Sequence, residues 1–114
     1  MNDRALLELA AKAAGVNIDK SPSNGGGTNN TGFDIMGNAV LDWFHGKTWN
    51  PLTDDGDALR LAVACRMQID ILDRSVYALA LGGTKVCELD RADLAAATRR
   101  AIVCAAAEIG KNMP

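Results

Sequence analysis

The stretch 49–66, Trp-Asn-Pro-Leu-Thr-Asp-Asp-Gly-Asp-Ala-Leu-Arg-Leu-Ala-Val-Ala-Cys-Arg, constrains the fold most, because a rigid entry, a capped start and an amphipathic helix follow without a gap. Asn50 precedes Pro51 and is pushed towards extended backbone. Thr53 or Asp54 can then cap the free amides of the next turn. Asp54, Asp55 and Asp57 sit at the positive end of the helix dipole, where a carboxylate is favoured by about 0.3–1 kcal/mol. Leu59, Ala62, Val63 and Arg66 share one face, with Leu61 and Cys65 beside it, so this face is expected to meet the core.

Two more helices flank the chain. Asn2 or Asp3 can cap the first, which runs to about Ala14 and stops at Gly15, with Leu6, Leu7, Ala10 and Ala13 or Ala14 on its apolar side. Asp90 is the expected cap of the last, whose stripe of Leu94, Thr98, Ala101, Ile102, Ala105 and Ile109 ends at Gly110. Between them lie strand signals. Residues 16–19 alternate; 33–36 and 39–44 flank Gly37-Asn38, a pair suited to a two-residue hairpin turn, with Trp43 in the second arm. Met67, Ile69 and Ile71 alternate with polar residues, 75–81 is apolar, and Gly82-Gly83 turns the chain into 84–89, which predicts a three-stranded meander. Residues 21–32 are all Ser, Pro, Asn, Gly and Thr, the composition of a flexible surface loop. The order of elements predicts one α+β domain over 1–114, a largely antiparallel sheet layered with three helices.

Aromatic residues are only 4% of the chain, so the core must be built from Ala, Leu, Val and Ile, with helices brought close through alanine. The net charge of −2, with Lys and Arg scattered, offers no field for gripping nucleic acid or anionic lipid. No stretch approaches a membrane span and the start lacks a secretory pattern, so the cytoplasm is the expected compartment. Cys65, Cys87 and Cys104 lack paired C-x-x-C spacing, and buried thiols are expected rather than a disulfide framework or a zinc site.

Two blocks carry a resemblance. Residues 49–63 and the run Ala97-Thr98-Arg99-Arg100-Ala101-Ile102-Val103 on to Lys111, with the opening Leu6-Leu7-Glu8-Leu9-Ala10-Ala11-Lys12-Ala13-Ala14-Gly15, resemble small phage and prophage proteins of the phage ABA sandwich domain family. The resemblance implies an α/β/α layering and a phage-encoded origin; it carries over no catalytic residue. The loop at 21–32 departs from it.

The candidate sites are weak in chemistry. The Thr53-Asp54-Asp55-Gly56-Asp57 run lacks the alternating spacing and distal Glu of a calcium loop, and helix capping accounts for it better. Asn24-Gly25-Gly26-Gly27-Thr28 matches neither glycine fingerprint for phosphate. His45 is the single histidine, and nothing in the spacing puts a cysteine beside it as nucleophile. Arg60, Arg66, Arg99 and Arg100 could form an anion or partner patch if their exposed sides met, and Trp43 and Trp49 bracket the entry to the central helix as core seals or interface anchors. The expected function is therefore a non-enzymatic phage or prophage accessory protein. It would bind a host or phage protein, as an inhibitor of host defence in one version, without cofactor, membrane or nucleic acid. The alternative is a small-ligand or nucleotide-binding protein using these arginines, with a small enzyme third. Self-association is also expected, from surplus apolar surface on 75–81 and the alanine-rich helices.

Overall fold

Each of the three helices opens on a side chain that accepts the amide three residues on. In the computed structural model, which describes residues 2–20, 32–42, 44–80, 85–89 and 93–114, helix α1 spans Asp3–Ala14, α2 Asp55–Ala64 and α3 Leu94–Lys111. Asn2 Oδ1 accepts the Ala5 amide at 2.8 Å, Asp54 Oδ2 that of Asp57 at 2.8 Å, and Asp93 Oδ1 that of Ala96 at 3.1 Å. The cap of α3 is thus Asp93; Asp90, the expected cap, lies outside the described residues. Thr53 does not cap α2, and its hydroxyl instead donates to the Asn50 carbonyl at 3.5 Å. Helix α1 stops as expected at Gly15, where φ is 72° and the Val16 amide reaches back to the Ala11 carbonyl at 2.9 Å.

The strands form two antiparallel sheets: β1 (Ala39–Asp42) with β2 (Lys47–Trp49), and β3 (Gln68–Ile71), β4 (Ser75–Leu79) and β5 (Lys85–Leu89) in that order. The second is the expected meander, although the Gly82-Gly83 turn lies outside the described residues. The first hairpin differs from expectation. Residues 33–36 and 39–44 do not pair across Gly37-Asn38. The Asp34 carboxylate accepts the amides of Met36 and Asn38, both at 2.9 Å, and closes a wider turn with only a bridge from Phe33 to Ala39. The partner of β1 is β2, and Gly46, at φ 66°, helps the chain reverse between them. Residues 16–19 form no strand; one hydrogen bond, Asp19 N–H to the Val40 carbonyl at 2.7 Å, ties them to β1. Two half-buried apolar residues, Val16 and Ile18, are too few to commit a strand against the neighbouring cap at Gly15.

The core centres on α3, not on α2. Ile102, Val103, Ala106 and Ala107 pack with Leu6, Leu7, Ala10 and Ala11 of α1, Leu61 of α2, and Ala39 and Trp49 of the small sheet. Ala97, Ala101 and Ala105, one row round the helix, pack with Val76 and Ala78 of β4. Alanine on both rows lets elements approach closely on both sides, which answers the shortage of aromatics. Gly110 does not end α3. The helix runs on to Lys111, and a Cβ at Gly110 would run into the Leu9 carbonyl of α1, so glycine here sets the distance between two helices. The fold is α+β, with three helices and two antiparallel sheets. Within it α3 takes the middle position between α1 and α2 and the meander. The other face of the meander, bearing Gln68, Asp70, Leu79, Lys85 and Cys87, is exposed.

Candidate functional site

Helix α2 buries a different face from the one its apolar residues suggest. Ala58, Leu61, Ala62 and Cys65 turn inwards, while Leu59 and Val63 remain 64% and 69% exposed. Both rows are spaced four residues apart, so either satisfies the helical period. The smaller alanines let α2 lie close to α3 and win the core. Leu59 therefore faces a groove of about 550 Å³ whose walls are α2 (Ala58, Leu59) and β3 (Ile69, Ile71), and whose floor is the start of α3 (Leu94, Ala95, Thr98, Ile102). Ile71 is 55% exposed and Leu94 36%. The cation in its lining is Arg99. That side chain is only 17% exposed, with NH1 2.6 Å from Asp55 and Nε donating to the Leu52 carbonyl at 2.9 Å. The carboxylate in the lining is Asp55, the partner of Arg99.

A second cavity, of about 540 Å³, opens on another face of α2. It is lined by Asp57, Arg60, Leu61 and Ala64 of α2, by Ala14 and Val16 at the end of α1, and by Leu41, Lys47, Thr48 and Trp49 of the hairpin. Asp57 fixes this corner: its carboxylate accepts the Asn50 amide at 2.9 Å and the Arg60 guanidinium at 2.7 Å. Asn50 in turn donates to the Asn38 side chain at 2.9 Å.

The four arginines are not brought into one patch. Arg60 pairs with Asp57 and Arg99 with Asp55, whereas Arg100 lies 3.4 Å from both Asp3 and Glu88. Arg66 lies just past the end of α2 with φ at 52°, a left-handed conformation, and is exposed, so it is not on the helix face where it was expected. Trp49 is a core seal at 6% exposure; Trp43 lies outside the described residues. The acidic run is taken up by capping and pairing through Asp54, Asp55 and Asp57. Among the described residues no group of three or more His, Cys, Asp or Glu is placed to hold a metal ion.

His45 stands in the turn between β1 and β2, 71% exposed, with Nδ1 2.6 Å from Asp42. The Asp42 carboxylate also accepts the amides of Phe44 and His45, and these bonds, that of the imidazole foremost, hold its pKa below the ordinary carboxylate value. The cysteines lie on separate elements. Cys65 is buried in α2, and burial pushes its thiol up. Cys104, on α3, is pushed up by burial and by Glu88, whose Oε1 is 3.8 Å from its sulfur. Cys87 is exposed on β5, contrary to the expectation of three buried thiols.

Sequence reasoning missed the groove and Lys47. Apolar residues on more than one row of α2 signal the first, since a helix that buries one stripe leaves the other over. Nothing local signals Lys47, which lines the same cavity as Arg60 only in the folded chain.

Compared with known proteins, the chain matches no protein family, no curated protein and no solved structure. Among the described residues no helix is long and apolar enough to cross a membrane.

Proposed function

We propose that this protein is a non-enzymatic phage or prophage accessory module that acts by occupying a host or phage protein through the groove between α2, β3 and α3. The observation that supports it is the gathering of Leu59, Ile71 and Leu94 around one apolar hollow, where scattered exposed residues would need no explanation. The occupant that fits is an amphipathic segment with apolar anchors, because the charged groups in the lining, Asp55 and Arg99, are already paired with each other. Inhibition of a host defence protein is the version suggested by the resemblance of residues 49–63 and 97–111 to phage proteins.

Native mass spectrometry of the protein purified from its host, against a denatured sample, tests this reading. A retained host protein that is lost in the double variant Leu59→Glu, Ile71→Glu supports it. Retention of the partner by that variant would overturn it, as would a homodimer that the same variant leaves intact. Self-association now has a narrower basis than the apolar strand suggested, since α3 covers Val76 and Ala78 of β4 completely. A dimer that dissolves in the variant would make the occupant a second copy. Small-ligand binding keeps one specific observation in its favour, the presence of both Trp49 and Arg60 in the lining of the second cavity.

A further inference from the structure

We infer that the partner enters the groove as an added β-strand, paired along the open edge of β3 and carrying a basic residue between two apolar ones; this rests on the reading of the groove as a docking site. The backbone of β3 supplies the first ground. Asp73-Arg74 turns β3 into β4, and the Leu72 amide donates to the Ser75 carbonyl at 2.8 Å. Bonded and non-bonded pairs alternate along an antiparallel ladder. In this register Asp70 with Tyr77 and Gln68 with Leu79 are therefore the next bonded pairs, and the amides and carbonyls of Ile69 and Ile71 turn away from β4. Among the described residues no strand pairs with β3 on that side, so those groups form an open edge.

The side chains of the same two residues line the groove. A strand added here bonds to Ile69 and Ile71, and the residues standing opposite them point into the groove towards Leu59 and Leu94. Leu59 is 64% exposed and Ile71 55%, so surface remains there for a partner to cover.

Charge chooses the occupant. Asp70, between the two isoleucines, is exposed on the other face of the sheet and makes no ion pair among the described residues. Across the sheet it stands in line with Tyr77 and Cys87, and the ammonium of Lys85 lies over the Tyr77 ring at 4.7 Å. A second copy of the chain fits badly. The self-pairing that uses both isoleucines sets Ile69 of each copy against Ile71 of the other, and Asp70 against Asp70, and like charges directly opposite destabilise a strand pair. A strand of another protein with Lys or Arg opposite Asp70, and an apolar residue on each side of it, meets these positions together.

The probe is the peptide acetyl-Thr-Val-Lys-Val-Thr amide, titrated into the full chain and followed by amide and methyl NMR shifts. Saturable binding is expected, with shifts at Leu59, Ile69, Ile71 and Leu94. Methylating both valine nitrogens, which face β3, should abolish binding, whereas methylating the lysine nitrogen, which faces away, should be tolerated. Glutamate in place of the lysine should weaken binding about threefold or more, and Asp70→Lys should reverse that preference. No saturable binding, equal binding of the valine-methylated peptide, or an unchanged preference in Asp70→Lys would overturn the inference. Dimerisation of the chain that displaces the peptide would do the same and make the occupant a second copy. The groove reading itself fails on a separate result, retention of the host partner by the Leu59→Glu, Ile71→Glu variant.

Discussion

At the scale of single residues, the least comfortable position is Arg66. It follows α2 with φ at 52°, and the Met67 amide bonds back to the Ala62 carbonyl at 3.0 Å, the closing pattern usually given to glycine. A side chain in this conformation costs about 1 kcal/mol or more, so Arg66→Gly should raise stability by about 0.5–1 kcal/mol, read from a denaturation midpoint at unchanged slope. Asp42 offers a test by pH. Because its folded pKa lies below the ordinary 3.8, its contribution to stability is fully present above that value and is lost as pH falls below it. Asp42→Asn should therefore flatten the stability curve below about pH 4, measured by acid denaturation, and leave its slope at higher pH unchanged. The side chain is half-buried at the end of β1, next to the turn whose amides it accepts, so the effect belongs to the turn rather than to the core.

At the scale of elements, the decisive contact is the crossing of α1 and α3. In an exposed helix, replacing glycine by alanine gains about 1 kcal/mol. At Gly110 the added methyl meets the Leu9 carbonyl, a backbone group that cannot swing aside. Gly110→Ala should thus reverse the usual sign and destabilise the protein by about 1–3 kcal/mol, measured by chemical denaturation. Helix α2 shows the complementary lesson. Its start was legible to within Thr53 or Asp54, because capping is local chemistry; its end was not, since Arg66 was expected on the helix face and the helix stops at Ala64, nor was its buried row, because two apolar rows compete and only α3 decides between them. The same holds for β1. Its apolar character was plain from sequence, but its pairing with β2 depended on Asp34 closing the preceding turn with its own carboxylate.

At the scale of the whole molecule, α2 works as a divider between two concavities. One side carries Leu59 towards the apolar groove, the other carries Asp57 and Arg60 towards the cavity beneath the hairpin. Leu59→Glu with Ile71→Glu should abolish partner retention at little cost in stability, since both side chains are more than half exposed, and thermal melting alongside the mass spectrum checks the two effects separately. The arginines that could have formed a common patch are distributed instead. Arg99 fastens α3 to the segment before α2, and Arg100 lies against Asp3 of α1 and Glu88 of β5.

What the amino-acid sequence determined by itself was the local and the periodic: the α+β class, the helix starts to within one residue, at Asn2 or Asp3 and at Thr53 or Asp54, the stop at Gly15, and the three-stranded meander. These follow from backbone groups that must be satisfied within a few residues, and from apolar spacing along one element. The tertiary structure decided the rest. It placed α3 at the centre, gave Gly110 to a helix crossing instead of a helix end, left Leu59 and Val63 outside, and put Lys47 and Arg60 in the lining of one cavity. Each of these depends on groups far apart in the chain competing for the same space, a competition settled by packing distance, which no single segment encodes.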